Sequence, residues 1–446
     1  MTTFLLYSSI FIILAFFESR HLHNHEDYFV ASRKAGTIQT GFSIIASCVG
    51  ASATIGMCGL AFSVGLPAIW WLLSGVLGLI ILRVFLLKRL REQRSLTMLE
   101  IVRNRLGHKT TKLCALIIVV AWTAILAAQF SAMGSIVSQM SEMRSIDALL
   151  LGSCVIVFYT VLGGQSAVMK SDVIQLTVMV LGLAALLSMM VWKNPSGIES
   201  IKFELFNDRF QFEDWSRFAL LIGGSYIVCP MLFSRFLSSR SDASARKGAA
   251  VAIAGLTILA FMIALIGMLA RHFVDASVAS DEVLTAAAAQ LPYGMGVVLT
   301  LVLISAILSS ADSCLITAAT VVSNDIFEHP SIRLSRAIML ILAAAAFYLA
   351  SSGKTILDLM LMANNMYVCS VVAPVFTALC TRKTLHRPTI MATVIFCAFI
   401  ALIGEWRNDF TFSVLAFSLS VLGSAAAHLL GEQRMSTPTA PLSLDR

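Results

Sequence analysis

Ser309, Ser310, Asp312 and Ser313 crowd hydroxyls and a carboxylate into residues 305–325, SAILSSADSCLITAATVVSND, a segment that is otherwise apolar. On a helix, Ser309 lies three residues from Asp312 and four from Ser313, so these three share a face and Ser310 lies beside it. Hard oxygen ligands gathered on one apolar helix are what a small, hard cation needs to replace its hydration shell. Isolated serines would more often hydrogen-bond to neighbouring helices. The carboxylate among them tilts the reading towards an ion site.

Such a cluster has to be positioned by other elements, and composition says what they are. The chain has 446 residues, 58% of them hydrophobic and 13% charged, with a mean hydropathy of +0.85. A soluble globule carries roughly 25% charged residues. Windowed hydropathy predicts about thirteen spans, near 3–17, 38–64, 66–87, 113–138, 147–163, 167–192, 215–237, 249–271, 293–323, 333–351, 355–380, 388–404 and 410–429. The expected fold is therefore an all-α polytopic membrane protein, and no segment alternates like a barrel strand. Spans 38–64 and 293–323 are long enough to be tilted or broken. The stretch from Phe4 to Phe17 lacks a basic flank and a cleavage site, so it reads as a retained helix.

The net charge of +7 is placed as membrane topology requires, not as a nucleic-acid surface. Lys88, Arg89, Arg91, Arg94, Arg103, Arg105, Lys109 and Lys112 fill one loop, and Arg20, Arg33, Lys34, Arg240, Arg246, Lys247, Arg333, Arg336, Arg382, Lys383 and Arg387 fall on the same side. In Glu199–Asp214, on the opposite side, acids outnumber bases. The positive-inside rule then puts the N-terminus outside and the C-terminus in the cytoplasm of a cell-membrane protein. Amphipathic structure is expected at 91–108 and 279–291, and the polar tail from Glu432 to Arg446 reads as disordered.

Two segments make poor continuous helices. Residues 41–65, GFSIIASCVGASATIGMCGLAFSVG, hold Gly50, Gly56, Gly59 and Gly65, and each interior glycine costs roughly 1 kcal/mol relative to alanine. Residues 218–237 hold Gly223, Gly224 and Pro230, whose ring removes a backbone donor. Unwound backbone at membrane depth is tolerated only around a protein-enclosed cavity. Small-residue helix packing is the competing explanation. The breaks fall in the second and seventh spans, five apart, as in transporters built from inverted repeats.

Four motifs then resemble the sodium:solute symporter family: DYFVASRKAG at 27–36, the glycine-rich span at 41–65, YTVLGGQSAVMKSDVIQ at 159–175 and SAILSSADSCL at 305–315. The resemblance covers roughly residues 20–380. It implies an inverted five-helix-repeat core of the leucine-transporter type, with broken first and sixth core helices. On this chain that gives an N-terminal peripheral helix and loop at 1–37, repeats at 38–212 and 213–381, and peripheral helices with a short tail at 382–446.

The resemblance also implies a sodium site made by the backbone carbonyls of Ala46, Val49 and Ala306 and the hydroxyls of Ser309 and Ser310. Members with a second sodium site place it where Ser309, Asp312, Ser313 and Asp172 stand here. Asp312 in place of a serine departs from that pattern and leaves the number of sodium ions open. Asp172 reads equally well as a shallow, hydrated acid or a partner of Lys170. For substrate, the implied lining is Ser52, Ala53, Thr54, Leu72, Gln129, Ser225, Tyr226, Asn364 and Asn365. Tyr226 and Asn365 are the strongest individual candidates. The apolar Ala53 and Leu72 disfavour a hexose, and no arginine falls at the middle of a span to pair with an anionic solute.

Other features point away from further chemistry. The nine cysteines lie in or beside apolar segments and form no C-x-x-C pair. His21, His23 and His25 alternate beside Glu26 in a short loop and read as solvated, not metal-binding. Without an H-E-x-x-H, a P-loop or a G-x-S-x-G, no enzyme or ATP-driven pump is expected. The expected function is inward symport of a small organic solute with sodium as coupling ion, in a lipid bilayer and without nucleic acid. Proton coupling through Asp172 or Asp312 and a solute-sensing module are the rivals. The sequence sets no oligomeric state.

Overall fold

Long apolar runs interrupted by charged loops give a helical bundle. The computed structural model describes residues 2–20, 25–92, 95–141, 143–199, 201–292, 294–353 and 355–432; His21 and His23 lie outside them, as does nearly all of the tail. Among the described residues there is no strand, only two isolated bridges. Eleven helices there are long and apolar enough to cross a membrane, and one bent pair adds a twelfth crossing.

In chain order these are α1 (Thr2–Ser19), the bent pair α2 (Thr37–Cys48) and α3 (Ser52–Val64), and α4 (Leu66–Arg91). The short α5 (Met98–Leu106) follows. Then come α6 (His108–Gln139), α7 (Ser145–Lys193), α8 (Phe212–Ser238), α9 (Asp242–Ala270), α10 (Met295–Ile326), α11 (Ile332–Ala350), α12 (Ile356–Cys380), α13 (Arg387–Arg407) and α14 (Phe410–Leu429). At 49 residues, α7 is about 74 Å long against a bilayer core of roughly 30 Å. Gly164, at φ 62° and ψ −171°, divides it. A side chain there would also strike the ring of Tyr28 at 2.8 Å. Counting its two arms separately brings the crossings to the 13 that hydropathy predicts.

Burial separates core from periphery. The most apolar stretches of α6, α8 and α10 are each 78% buried, whereas those of α1, α13 and α14 are 28–33% buried and turn their apolar faces outward. α10 packs most extensively on α7 and α6, while α13 and α14 pack chiefly on each other. α1 lies along α7 and reaches α10 through Tyr7, whose hydroxyl is 2.6 Å from that of Ser305.

Both expected breaks are present. α2 ends at Val49 (φ −102°, ψ 68°), and α3 leaves at 65° to it. α8 is interrupted where Val228 (φ −129°, ψ 41°) and Cys229 (φ −76°, ψ 115°) leave helical geometry, with Pro230 opening the second arm. Of the two spans long enough to be tilted or broken, 38–64 is the broken one, whereas α10 is continuous from Met295 through Val321. Its serines bond to carbonyls within reach and do not unwind the helix. At its C-terminal end, Arg103 of α5 lies 3.1 Å from the buried Asp325 carboxylate, which also accepts from Thr97 at 2.9 Å.

Candidate functional site

Where α2 stops, its last carbonyls lose their helical donors, and α10 supplies replacements. The Ser309 hydroxyl lies 2.9 Å from the carbonyl oxygen of Ala46 and 3.0 Å from that of Ala306. The Ser310 hydroxyl donates to the carbonyl of Ser47 at 3.0 Å. All of these residues are buried. The approach is close because Gly50 has no side chain: a Cβ there would collide with Ser310 Oγ and Gln129 Oε1. Gln129 accepts from the backbone N–H of Ala51 at 3.0 Å, steadying the break from α6. The five oxygens of this cluster, three carbonyls and two hydroxyls, carry no formal charge and suit a monovalent cation, since a divalent ion draws on carboxylates. Val49 stands at the break itself, beside this cluster in the chain.

A charged cluster lies next to it. Asp172 of α7 is fully buried, and its carboxylate accepts from Ser43 of α2 at 2.5 Å. Its cationic neighbour is Arg235 of α8, also fully buried, 3.7 Å away. Arg235 donates from Nε to Ser43 at 3.3 Å and from Nη2 to Ser313. Ser313 is 3.0 Å from Ser47 and from Asp312 Oδ1, while Asp312 Oδ2 is buried without a hydrogen-bond partner.

These contacts correct one expectation. Lys170 pairs with Glu18 at 2.6 Å and not with Asp172, because it faces α1 while Asp172 faces the bundle. Near the end of α8, away from the middle of the span, the structure also buries Arg235. The sequence signal for it is faint: an arginine in MLFSRFL, between the fully buried Phe233 and Phe236.

Beside the ion-site region lies a cavity of about 60 Å³. Of the expected substrate residues, Ser52, Gln129, Ser225, Tyr226 and Asn364 line it. Ala53, Thr54, Leu72 and Asn365 do not. Thr54 turns back onto the Gly50 carbonyl at 2.9 Å. Asn365 faces α13, donating to Glu405 at 3.1 Å and the Ala401 carbonyl at 3.4 Å. Trp71 and Trp122 also form the wall. They went unanticipated because a tryptophan in an apolar run looks like ordinary packing. Trp122 stacks edge-on to Tyr367 at 5.1 Å, and Tyr367 donates to the Val228 carbonyl at the second break. Each break thus has its loose backbone group held by a side chain from another helix.

With this geometry in hand, comparison with known proteins is informative. The sequence model of the sodium:solute symporter family matches residues 28–395. A high-affinity choline transporter 1 of Caenorhabditis elegans is 27% identical over 251 residues, 55% of this chain and 44% of the relative. A sodium/glucose cotransporter of Vibrio parahaemolyticus is 28% identical over 350 residues, 68% of this chain and 63% of the relative. The chain spans about half the length of these curated relatives, between 44% and 63%. The structure of a Na+-coupled sialic acid symporter in a substrate-bound outward-open state superposes with a TM-score of 0.82 at 13% identity, over 97% of this chain and 98% of that one. That likeness shows the fold.

Proposed function

This chain belongs to the sodium:solute symporter family, and from that premise we propose that it is a multi-pass secondary transporter carrying a small organic solute inward with sodium by alternating access. The observation that carries the reading is the meeting of α10 with the end of α2, where Ser309 and Ser310 reach the carbonyls of Ala46 and Ser47. A sodium ion there takes the oxygens of Ala46, Val49, Ala306, Ser309 and Ser310, and ties the first core helix to the eighth. Holding them together favours the outward-open form and raises solute affinity, and the solute raises sodium affinity by the same factor. Release inside follows the sodium gradient and the membrane potential, worth roughly 2.3 kcal/mol per charge per 100 mV.

The repeats run 38–212 and 213–381, with the basic loops and the C-terminus in the cytoplasm and the N-terminus outside. The solute sits between the two breaks, against Ser52, Gln129, Ser225, Tyr226 and Asn364. Among the described residues, no charged side chain lines that cavity. A charged solute therefore relies on helix-end dipoles, on the sodium ion, or on the ring faces of Trp71, Trp122 and Tyr226. At about 60 Å³ the cavity is far below the roughly 300 Å³ of ordinary ligand sites, so entry requires the helices to part.

The test is thermal stabilisation of the purified protein by a solute panel, with and without sodium. A stabilising solute is expected to need sodium, and Ser310→Ala is expected to raise the half-maximal sodium concentration about tenfold. Sodium dependence unchanged in that variant would overturn the site assignment.

A further inference from the structure

Between α1 and α11, over the first arm of α7, lies a groove of about 730 Å³ that shares no lining residue with the solute cavity. α1 contributes Ile12, α6 Phe130, and α11 Leu340 and Phe347. Leu150, Phe158 and Leu340 are 52–57% exposed, so the groove opens outward. Among the described residues no charged side chain lines it, and the hydroxyl of Ser153 already donates to the Leu149 carbonyl at 2.7 Å. Only hydrocarbon suits such a lining. Along α7 the groove runs from Leu150 to Leu162, about 18 Å at the helical rise. That is a little over half of the roughly 30 Å hydrocarbon core, the depth of one leaflet.

One end of the groove is basic. Where it reaches Val161 and Leu162, Arg336 of α11 donates to both carbonyls, at 2.9 and 3.4 Å, one turn before the groove-lining Leu340. Arg333 lies almost a turn further along α11 and is exposed. α1 ends beside the same stretch of α7, since a Cβ on Gly163 would meet that of Ala15 at 3.1 Å, and the exposed Arg20 follows it. The acids close by in the chain are engaged elsewhere: Glu18 with Lys170 and Ser166, Glu328 with His108 and Lys112. Among the described residues neither Arg20 nor Arg333 pairs with an acid. We propose that this groove binds one anionic phospholipid, with an acyl chain laid along α7 and the phosphate among Arg20, Arg333 and Arg336. Lipid tails are as apolar as the groove, so a tail alone gains little by leaving the bilayer. The headgroup therefore decides which lipid stays, and basic pockets between membrane helices favour anionic ones. A zwitterionic headgroup brings its own cation and offsets the attraction. The bound lipid would lean on α7 just before its break at Gly164, where Arg336 holds the last carbonyls of the first arm.

The test titrates the purified, delipidated full chain in detergent with phosphatidylglycerol and with phosphatidylcholine of the same acyl chains, counting bound lipid by native mass spectrometry. One phosphatidylglycerol per chain is expected to bind on the order of tenfold more tightly than phosphatidylcholine. Arg20→Gln/Arg333→Gln alters two exposed side chains and is expected to bring that preference to about twofold or less, with the unfolding midpoint unchanged. Leu340→Trp, which fills the groove, is expected to lose the tightly held lipid. Arg246→Gln/Lys247→Gln, exposed on the same basic face but outside the groove, is expected to keep it. Equal binding of the two lipids to the wild-type chain would overturn the inference, and that comparison needs no variant to fold. Undiminished phosphatidylglycerol binding to a cooperatively unfolding Leu340→Trp chain would also overturn it, by placing the lipid elsewhere. So would a wild-type dimer that Leu340→Trp splits, because a second copy would then cover the groove. None of these outcomes depends on sodium coupling.

Discussion

Gln129 and Ala51 meet across the first break: the side-chain oxygen of Gln129 accepts the Ala51 backbone N–H at 3.0 Å. Both residues are buried, so water is not at hand to satisfy that amide. The same glutamine also lines the cavity. One side chain therefore links the unwound backbone, the solute space and α6.

Replacing Gln129 by Leu keeps the volume and removes the acceptor. The Ala51 amide is then a buried, unpaired donor, at a cost of about 1–3 kcal/mol. The expected outcome is a lower midpoint of thermal unfolding in detergent and weaker sodium binding. Gln129→Glu, which restores an acceptor, should recover much of the stability. A leucine variant with wild-type unfolding and sodium binding would show that the contact carries no weight.

Gly50→Ala tests the close approach of α10. The new Cβ meets Ser310 and Gln129, so either the helices separate or those side chains leave their partners. Overpacking of this kind costs typically 1–3 kcal/mol. Membrane insertion is expected to be normal, with the half-maximal sodium concentration raised about tenfold or more. Measuring sodium-dependent thermal stabilisation alongside expression level checks both halves of the expectation.

The segment around Asp281 should respond to pH on the face that carries the α9–α10 loop. Burial raises the Asp281 carboxyl above the ordinary value of 3.8; a hydrogen bond from the Ile356 amide opposes this, and the nearby Asp358 and Glu282 add to it. A carboxyl raised in the folded state contributes stability that is complete below its unfolded value and is lost as pH rises through the folded one. Hydrogen-exchange protection of residues 280–289 should therefore fall as pH is raised from about 4, and Asp281→Asn should flatten the response. Ser280 packs directly on Gly59 of α3, so loosening this segment loosens the cover of the first broken helix.

Much of the architecture is legible in the chain because lipid imposes a simple code. Apolar runs of sufficient length must be helices, and the glycines at 50 and 164 and the proline at 230 mark three places where helix geometry fails. Ser309 and Ser310 are also legible, since hydroxyls facing inward on an apolar helix need partners. Asn365 shows the limit. It is adjacent in sequence to the cavity-lining Asn364, yet one step along a helix turns a side chain by about 100°, and it faces Glu405 on a peripheral helix.

What the sequence determined by itself was the set of crossings, the two interruptions and the hydroxyl-bearing helix that faces one of them. These follow from local composition, because hydropathy and backbone propensity act over neighbouring residues. Which charges pair was decided only by the tertiary structure. Arg235 lies in the chain among the last residues of the predicted span 215–237 with nothing beside it to name a partner, and Asp172 reads as an acid beside Lys170. Packing α8 against α2, α7 and α10 withdraws both from water, and a dry charge must settle on whatever opposite charge and hydroxyls the other helices bring to it.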